Sequence, residues 1–214
     1  MRLKTLFYGL MMGLIAFAPL TAMADETATL RIILTGDHYE LPPKNGRGGY
    51  AKLASVVNWE KAGAEHSIFV HAGDAYSPSL LSSMDKGKST VDMLNDVGVD
   101  YMVLGNHEWD FGPENLRERI WQSKFPILAS NARDKDGFPI DGTVNTAMVT
   151  VGPFRVGIMG LITTNTKVIS SPGTDEFLPV LETAKDLAKE LKGQGANLVV
   201  ALAHLDFVED MELV

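Results

Sequence analysis

SIFVHAGDAYSPS, residues 67–79, holds the reading on which the fold turns. A short apolar run, 67–72, ends at Gly73-Asp74, a turn residue followed at once by a carboxylate. Polar residues likewise follow an apolar run in LRIILTGDHYE (30–40), YMVLGNHEWDFG (101–112) and LVVALAHLDF (198–207). Runs such as IILT and LVVALA are apolar throughout rather than alternating, as strands covered on both faces require. Helix-spaced segments lie between them. They fall at 50–60, with Leu53, Val56 and Val57 on one side, at 90–97, at 113–122 and at 180–192. Pro113 opens the third, where a missing N–H costs nothing. Gly193 and Gly195 stop the last. A further strand is predicted at 127–130, and a hairpin pairs 147–151 with 155–161 around Gly152-Pro153. The polar, glycine-containing stretch 131–145 reads as a surface loop. Strands alternating with helices predict βαβ units and a largely parallel sheet. No internal repeat and no low-complexity tract interrupts the series.

The N-terminus reads as an address rather than as fold. Arg2 and Lys4 precede an apolar run at 6–18, and Ala22-Met23-Ala24 forms a small-x-small cleavage signal before Asp25. That is the layout of a secretory signal peptide. The run is short against the roughly 20 residues that a spanning helix needs. The expectation is therefore a signal peptide at 1–24, a domain at 25–214, a periplasmic or secreted location and no stable membrane insertion. The chain has no cysteine, which leaves His, Asp, Asn and backbone oxygen for any metal site. A formal net charge of −8 gives no basic face for a nucleic-acid polymer.

The polar clusters share one position, the carboxyl end of an apolar strand, where open α/β sheets bind ligands. Asp37, Asp74, Asn106 and His204 are thus aimed at one edge. These donors suit Mn, Fe or Zn ions. Two ions about 3.5–4 Å apart can clamp a displacement at phosphorus and activate water near neutral pH. Each residue also has a plain structural reading. Asp37 and Asp74 could cap the helices that follow. Asn106 could be a turn residue. His204 could be a core histidine bonded to a carbonyl. His38, His66 and His71 read as structural, His71 packing within its apolar run.

LTGDHYEL, FVHAGDAYSPS, LGNHEWDFG and ALAHLD, in that order, resemble the calcineurin-like metallophosphoesterases. GNHEWDFG followed by SNA at 130–132 is similar to their 5'-nucleotidase and 2',3'-cyclic-nucleotide phosphodiesterase branch. The resemblance spans residues 30–206. It implies an α/β sandwich of two mixed sheets flanked by helices, incomplete at its C-terminal edge. It implies two divalent ions (Mn, Zn, Fe or Mg), with Asp37 on the first, Asp74 bridging, and Asn106 and His204 on the second. His107 would sit over the phosphate and stabilise the leaving oxygen, oriented by Asp110. A metal-bridging hydroxide would be the nucleophile. The substrate would be a small phosphate ester, a nucleotide foremost. The runner-up activity is that of a related thiosulfohydrolase, and the rival from another class is a non-catalytic exported nucleotide- or metal-binding relative.

Two departures stand out. The family's first motif is Asp-x-His, and here it reads Asp37-His38-Tyr39. In an extended strand residue 38 points away from the face of 37 and 39. His38 therefore reaches the first ion only if the chain turns, while Tyr39 is on the correct face with a phenol to offer. The family also carries a later Gly-His-x-His segment and, in the nucleotidase branch, a base-stacking C-terminal domain. Neither is in this sequence, so the chain is expected to be part of a longer protein and inactive by itself.

Overall fold

The structure, a computed structural model, describes residues 27–39, 41–43 and 45–213. The signal segment expected at 1–24 lies outside the described residues. In chain order the elements are β1 (Leu30–Thr35), α1 (Tyr50–Ala62), β2 (His66–His71), α2 (Ser82–Asp85), α3 (Lys88–Val97) and β3 (Tyr101–Val103). A 3-10 turn (Asn106–Trp109) follows, then α4 (Gly112–Gln122), β4 (Ile127–Leu128), β5 (Ala132–Arg133), β6 (Thr146–Val151) and β7 (Phe154–Ile162). The chain continues with α5 (Thr166–Ile169), β8 (Glu176–Phe177), α6 (Val180–Gly193), β9 (Leu198–His204) and α7 (Phe207–Leu213).

One sheet has the order β1-β2-β3-β4 and is parallel throughout. The second has the order β6-β7-β9, with β6 antiparallel and β9 parallel to β7. A small antiparallel ladder joins β5 to β8. The two main sheets pack face to face. Phe69, Met102, Leu104, Ile127 and Leu128 from the first meet Val156, Ile158, Ile162 and Leu202 from the second in one buried cluster. The two-residue period of β7 explains both of its faces. Val156, Ile158 and Ile162 point into that cluster, while Met159 and Leu161 pack with Val180, Ala184 and Leu191 of α6. Gly160 sits on the inner face of β7. A Cβ there would overlap the Leu128 side chain and stand 2.9 Å from its carbonyl carbon, so only glycine lets the sheets approach. Each fully buried large apolar side chain contributes about 1.5–3 kcal/mol, so this shared layer is the main join between the sheets.

Three expectations fail in part. β1 is not covered on both faces: Leu34 is 63% exposed and Ile32 41%, because β1 is an edge strand with nothing among the described residues over that face. Val56 likewise points outward from α1 while Val57 is buried. The stretch 131–145 is not all surface loop. Asn131, Ala132 and Ile140 are buried, and 132–133 pair with β8. The reason is that the Asn131 amide is fully partnered inside. Its Nδ2 donates to the Ile162 and Leu178 carbonyls, and its Oδ1 accepts from the Ile162 N–H. No helix of the described residues is long and apolar enough to cross a membrane.

Candidate metal centre

The carboxyl ends of β1, β2, β3 and β9 meet at one edge of the sandwich. Asp37 follows β1, and its N–H donates to the Gly73 carbonyl (3.1 Å), which ties the first turn to the second. Asp37 and Asp74 both have positive φ, 52° and 57°. That region is uncommon for a residue with a side chain and gathers at functional sites. Gly105 lies directly against Asp74, whose Oδ1 would collide with any Cβ there. Glycine at 105 is thus what allows the third turn to close on the second.

One ligand atom each from Asp37, Asp74 and His204 lies within 4.8 Å of the other two. His204 Nε2 is 3.3 Å from Asp74 Oδ2, and its Nδ1 is 2.8 Å from the Ala72 carbonyl oxygen. A histidine with one nitrogen anchored on a backbone carbonyl and the other aimed at the cluster has the tautomer and orientation a metal ligand needs. Asn106 lies between Gly105 and His107, the latter donating its N–H to Asp74 Oδ1 at 2.9 Å. His107 stands beside the carboxylates, with Nε2 3.9 Å from Asp74 Oδ2, and its Nδ1 is 2.7 Å from Asp110 Oδ2. Ser170 donates its hydroxyl to the other oxygen of Asp110 at 2.8 Å.

The first motif turns rather than extends, since β1 ends at Thr35 and Asp37 is left-handed. The turn nonetheless separates the two candidates after Asp37. His38 packs edge-on against Tyr50, with ring centroids 4.6 Å apart, and is not part of the ligand group. Tyr39 is brought in, its hydroxyl 3.1 Å from both Asp37 Oδ1 and Asp74 Oδ2. His71 is fully buried, with Nδ1 accepting the Gly73 N–H at 3.1 Å. His66 stacks edge-on against Phe154, away from the cluster.

Glu108 has no role in the sequence reading, yet it organises the site. Its Oε2 accepts the N–H groups of Asp74 (2.8 Å) and Gly105 (2.6 Å), and its Oε1 those of Ala75 (2.7 Å) and Tyr76 (3.1 Å). The signal was present, for a Glu three residues after Gly105 is the reach-back half of a capping box. Ser170 had no such signal, lying 60 residues from its partner.

The electrostatics are those of a place for cations. Burial disfavours the Asp74 carboxylate, but the His204 contact and the His107 N–H outweigh it and hold its pKa below the usual value. Burial likewise opposes charge on His204, and Asp74 overrides it, raising the imidazole to about 9. Burial, with the charges of Asp74 and Asp37, pushes the Tyr39 phenol well above its ordinary value. Burial and the Asp74 charge also raise Glu108, against the pull of its N–H partners. His71 is held neutral by burial, its pKa lowered to about 3. Two carboxylates, an imidazole nitrogen and a phenol oxygen within a few ångströms form an oxygen-rich donor set that fits hard or borderline divalent ions.

The sequence model of the calcineurin-like phosphoesterase family matches residues 30–208. The chain is 31% identical over 220 residues to a snake venom 5'-nucleotidase of Gloydius brevicauda, an alignment covering 95% of this chain and 37% of that protein. Among solved structures, the NAD nucleotidase of Haemophilus influenzae superposes with a TM-score of 0.79 at 29% identity, covering 86% of this chain and 35% of that one. A 5'-nucleotidase precursor of Thermus thermophilus superposes with a TM-score of 0.78 at 32% identity, covering 85% and 38%. The chain thus spans between a third and two fifths of the length of these relatives. With the matched segment running from the first residue of β1 past His204, and with the sandwich of its structural neighbours, this chain belongs to the calcineurin-like phosphoesterase family.

Proposed function

We propose that the protein is an exported phosphoric ester hydrolase that acts on nucleotides with two divalent ions. The observation that supports this best is the convergence of Asp37, Asp74 and His204 from three separate strands beside the His107–Asp110 pair. In this reading Asp37 holds the first ion, Asp74 both, and Asn106 and His204 the second. When bound, the ions supply charge neutralisation at the phosphoryl group and a water acidic enough to attack near neutral pH. The remaining work falls to the chain. Glu108 fixes the Asp74 turn by its four N–H contacts. His107 faces the phosphate and stabilises the charge that develops on the leaving oxygen. Asp110 fixes its ring from behind. That pair serves turnover and not folding, which favours an enzyme over a binding relative that has lost catalysis. Nucleotide substrates come from the names of the relatives alone, and base recognition is assigned to a further C-terminal domain. Export rests on the n-region, apolar run and Ala22-Met23-Ala24 motif, with Asp25 as the mature N-terminus.

The test uses the full-length protein with its metal content measured. Phosphate release is followed from AMP, 2',3'-cyclic AMP and an aryl phosphate, with Asp74→Ala as control. Turnover abolished by Asp74→Ala is expected. No release from any of the three, with both ions bound, would refute the reading.

A further inference from the structure

Asp110 is held at both of its carboxylate oxygens. Oδ2 accepts from Nδ1 of His107 at 2.7 Å, and Oδ1 accepts the Ser170 hydroxyl at 2.8 Å. An ionised carboxylate only accepts, so the ring nitrogen facing it carries the proton. The last torsion of an aspartate is broad, and one contact leaves the carboxylate free to swing. A second donor on the opposite oxygen fixes its plane, and with it the plane of the ring. The Ser170 hydroxyl is itself fixed in space, because the segment 163–177 is fastened on either side of it. The Thr163 N–H donates to the His204 carbonyl at 2.8 Å. The buried Asp175 accepts from Trp109 Nε1 at 3.0 Å and from Arg117 Nη2 at 3.1 Å. Phe177 packs edge-on against Trp109, with ring centroids 5.2 Å apart. Trp109 is fully buried and directly precedes Asp110. The segment is thus tied once to the end of β9 and once to the turn that carries His107. Asp110 keeps 23% of its side chain exposed, so water can replace the hydroxyl as a donor, but not as a donor of fixed direction.

We propose that Ser170 is a positioning residue for departure of the leaving oxygen: its hydroxyl locks the Asp110 carboxylate, and through it the His107 ring. This role rests on the two-metal hydrolase reading and deepens it, since it brings the segment after β7 into the control of turnover. Ser170 touches no reacting atom. Its influence passes through the ring alone, so it grows with the need of the leaving oxygen for His107. A nucleoside alkoxide is a strong base and leaves only with its charge stabilised. A nitrophenolate is a weak base and leaves with little help. Loss of the hydroxyl should therefore slow AMP hydrolysis more than that of nitrophenyl phosphate. A misfolded rim or a lost ion would slow both alike. The backbone at Ser170 is extended, with φ −139° and ψ −160°, a conformation that suits a β-branched residue. Threonine can thus keep the hydroxyl in place.

The test compares steady-state rates of the full-length, Zn²⁺-loaded protein on AMP and on nitrophenyl phosphate. The variants are Ser170→Ala, Ser170→Thr, Asp110→Ala and the double variant of Ser170→Ala with Asp110→Ala. Ser170→Ala should lower kcat on AMP about tenfold, the lower end of what outer partners of a functional histidine contribute. KM and bound metal should stay unchanged, and the loss on nitrophenyl phosphate should be several-fold smaller. Ser170→Thr should restore the rate. In the Asp110→Ala background, Ser170→Ala should cost nothing further, as expected when one residue acts through the other. Proton NMR gives a readout that needs no turnover. The His107 Nδ1–H resonance, identified by its loss in His107→Ala, should be sharp in the wild type and in Ser170→Thr. In Ser170→Ala it should broaden by exchange with water. Equal losses on the two esters, a parallel loss of metal, additive losses in the double variant, a rate that Ser170→Thr fails to restore, or a ring-proton resonance absent from the wild type or unchanged in Ser170→Ala would each overturn the assignment. A wild type whose resonance responds as expected but that hydrolyses nothing with both ions bound would remove the proposed activity and leave the positioning contact in place.

Discussion

Glu108 shows how much of the site hangs on a residue that touches no reacting atom. It is buried and receives four backbone N–H groups from two turns. Glu108→Gln turns an acceptor into a donor facing those donors, and each buried hydrogen bond left unmade costs about 1–3 kcal/mol. A drop of about 3 kcal/mol or more in urea stability is expected, with loss of bound metal. His107→Ala should behave oppositely, with kcat down about 10²–10⁴-fold at unchanged metal content, the usual contribution of a positioned acid–base or electrostatic group. An equal loss of metal would make His107 a ligand instead. His71 should shape the acid limb of stability. Its pKa is about 3 in the fold against an ordinary 6.5, so below 6.5 the unfolded chain takes up a proton that the folded one refuses. Stability is then unaffected by this group above 6.5 and falls by about 1.4 kcal/mol per pH unit between 6.5 and 3. Urea midpoints measured across that window should decline less steeply in His71→Gln. The motif residues were legible because four strand ends repeat one pattern. Ser170 was not, because a contact across 60 residues leaves no local trace.

Among elements, the long periodic ones were legible nearly to the residue. β1 matches its sequence reading at 30–35, and α6, expected at 180–192, runs from Val180 to Gly193. An unbroken apolar run marks β1 and a helical apolar period marks α6, each without help from neighbours. The stretch 131–145 misled because composition cannot show whether a polar group is wet or partnered. The ladder between β5 and β8 is only two residues long on each side, too short for any pattern to register. Gly160 carries the clearest prediction at this scale. Gly160→Ala puts a methyl into Leu128 at the closest approach of the sheets, and overpacking of this kind costs about 1–3 kcal/mol. Thermal melts of Gly160→Ala should show a lowered midpoint, and a double variant that also carries Leu128→Ala should fall further, since alanine keeps the Cβ and backbone that the new methyl meets. An unchanged midpoint in the single variant would mean that the sheets yield freely.

The molecule as a whole presents apolar groups in several places. Leu34 on the open side of β1, Leu80 and Met84 near Tyr39, and Phe207 and Met211 on α7 are all more than half exposed. Exposed apolar surface of this extent marks places where something else packs or where chains stick together. Residues 25–214 expressed alone should therefore self-associate with rising concentration in sedimentation velocity, and Leu34→Lys with Phe207→Lys should reduce it. A monodisperse monomer across the concentration range would contradict this. Residues 25–214 should also release no phosphate from AMP above background, since among the described residues only Asp37, Asp74 and Tyr39 stand where the first ion would bind. His204 spans the two sheets. It hangs from the last residue of β9 in one sheet, yet its ring is bonded to Ala72, 132 residues earlier, at the end of β2 in the other. Any ion bound between His204 and Asp74 would fasten the two halves of the sandwich at their rim. Binding to the folded state alone adds about 2.7 kcal/mol at a hundredfold excess over Kd. A chelator should then speed amide hydrogen exchange first along the β2 and β9 ends, so that metal supply would govern how long the sandwich stays shut against proteases.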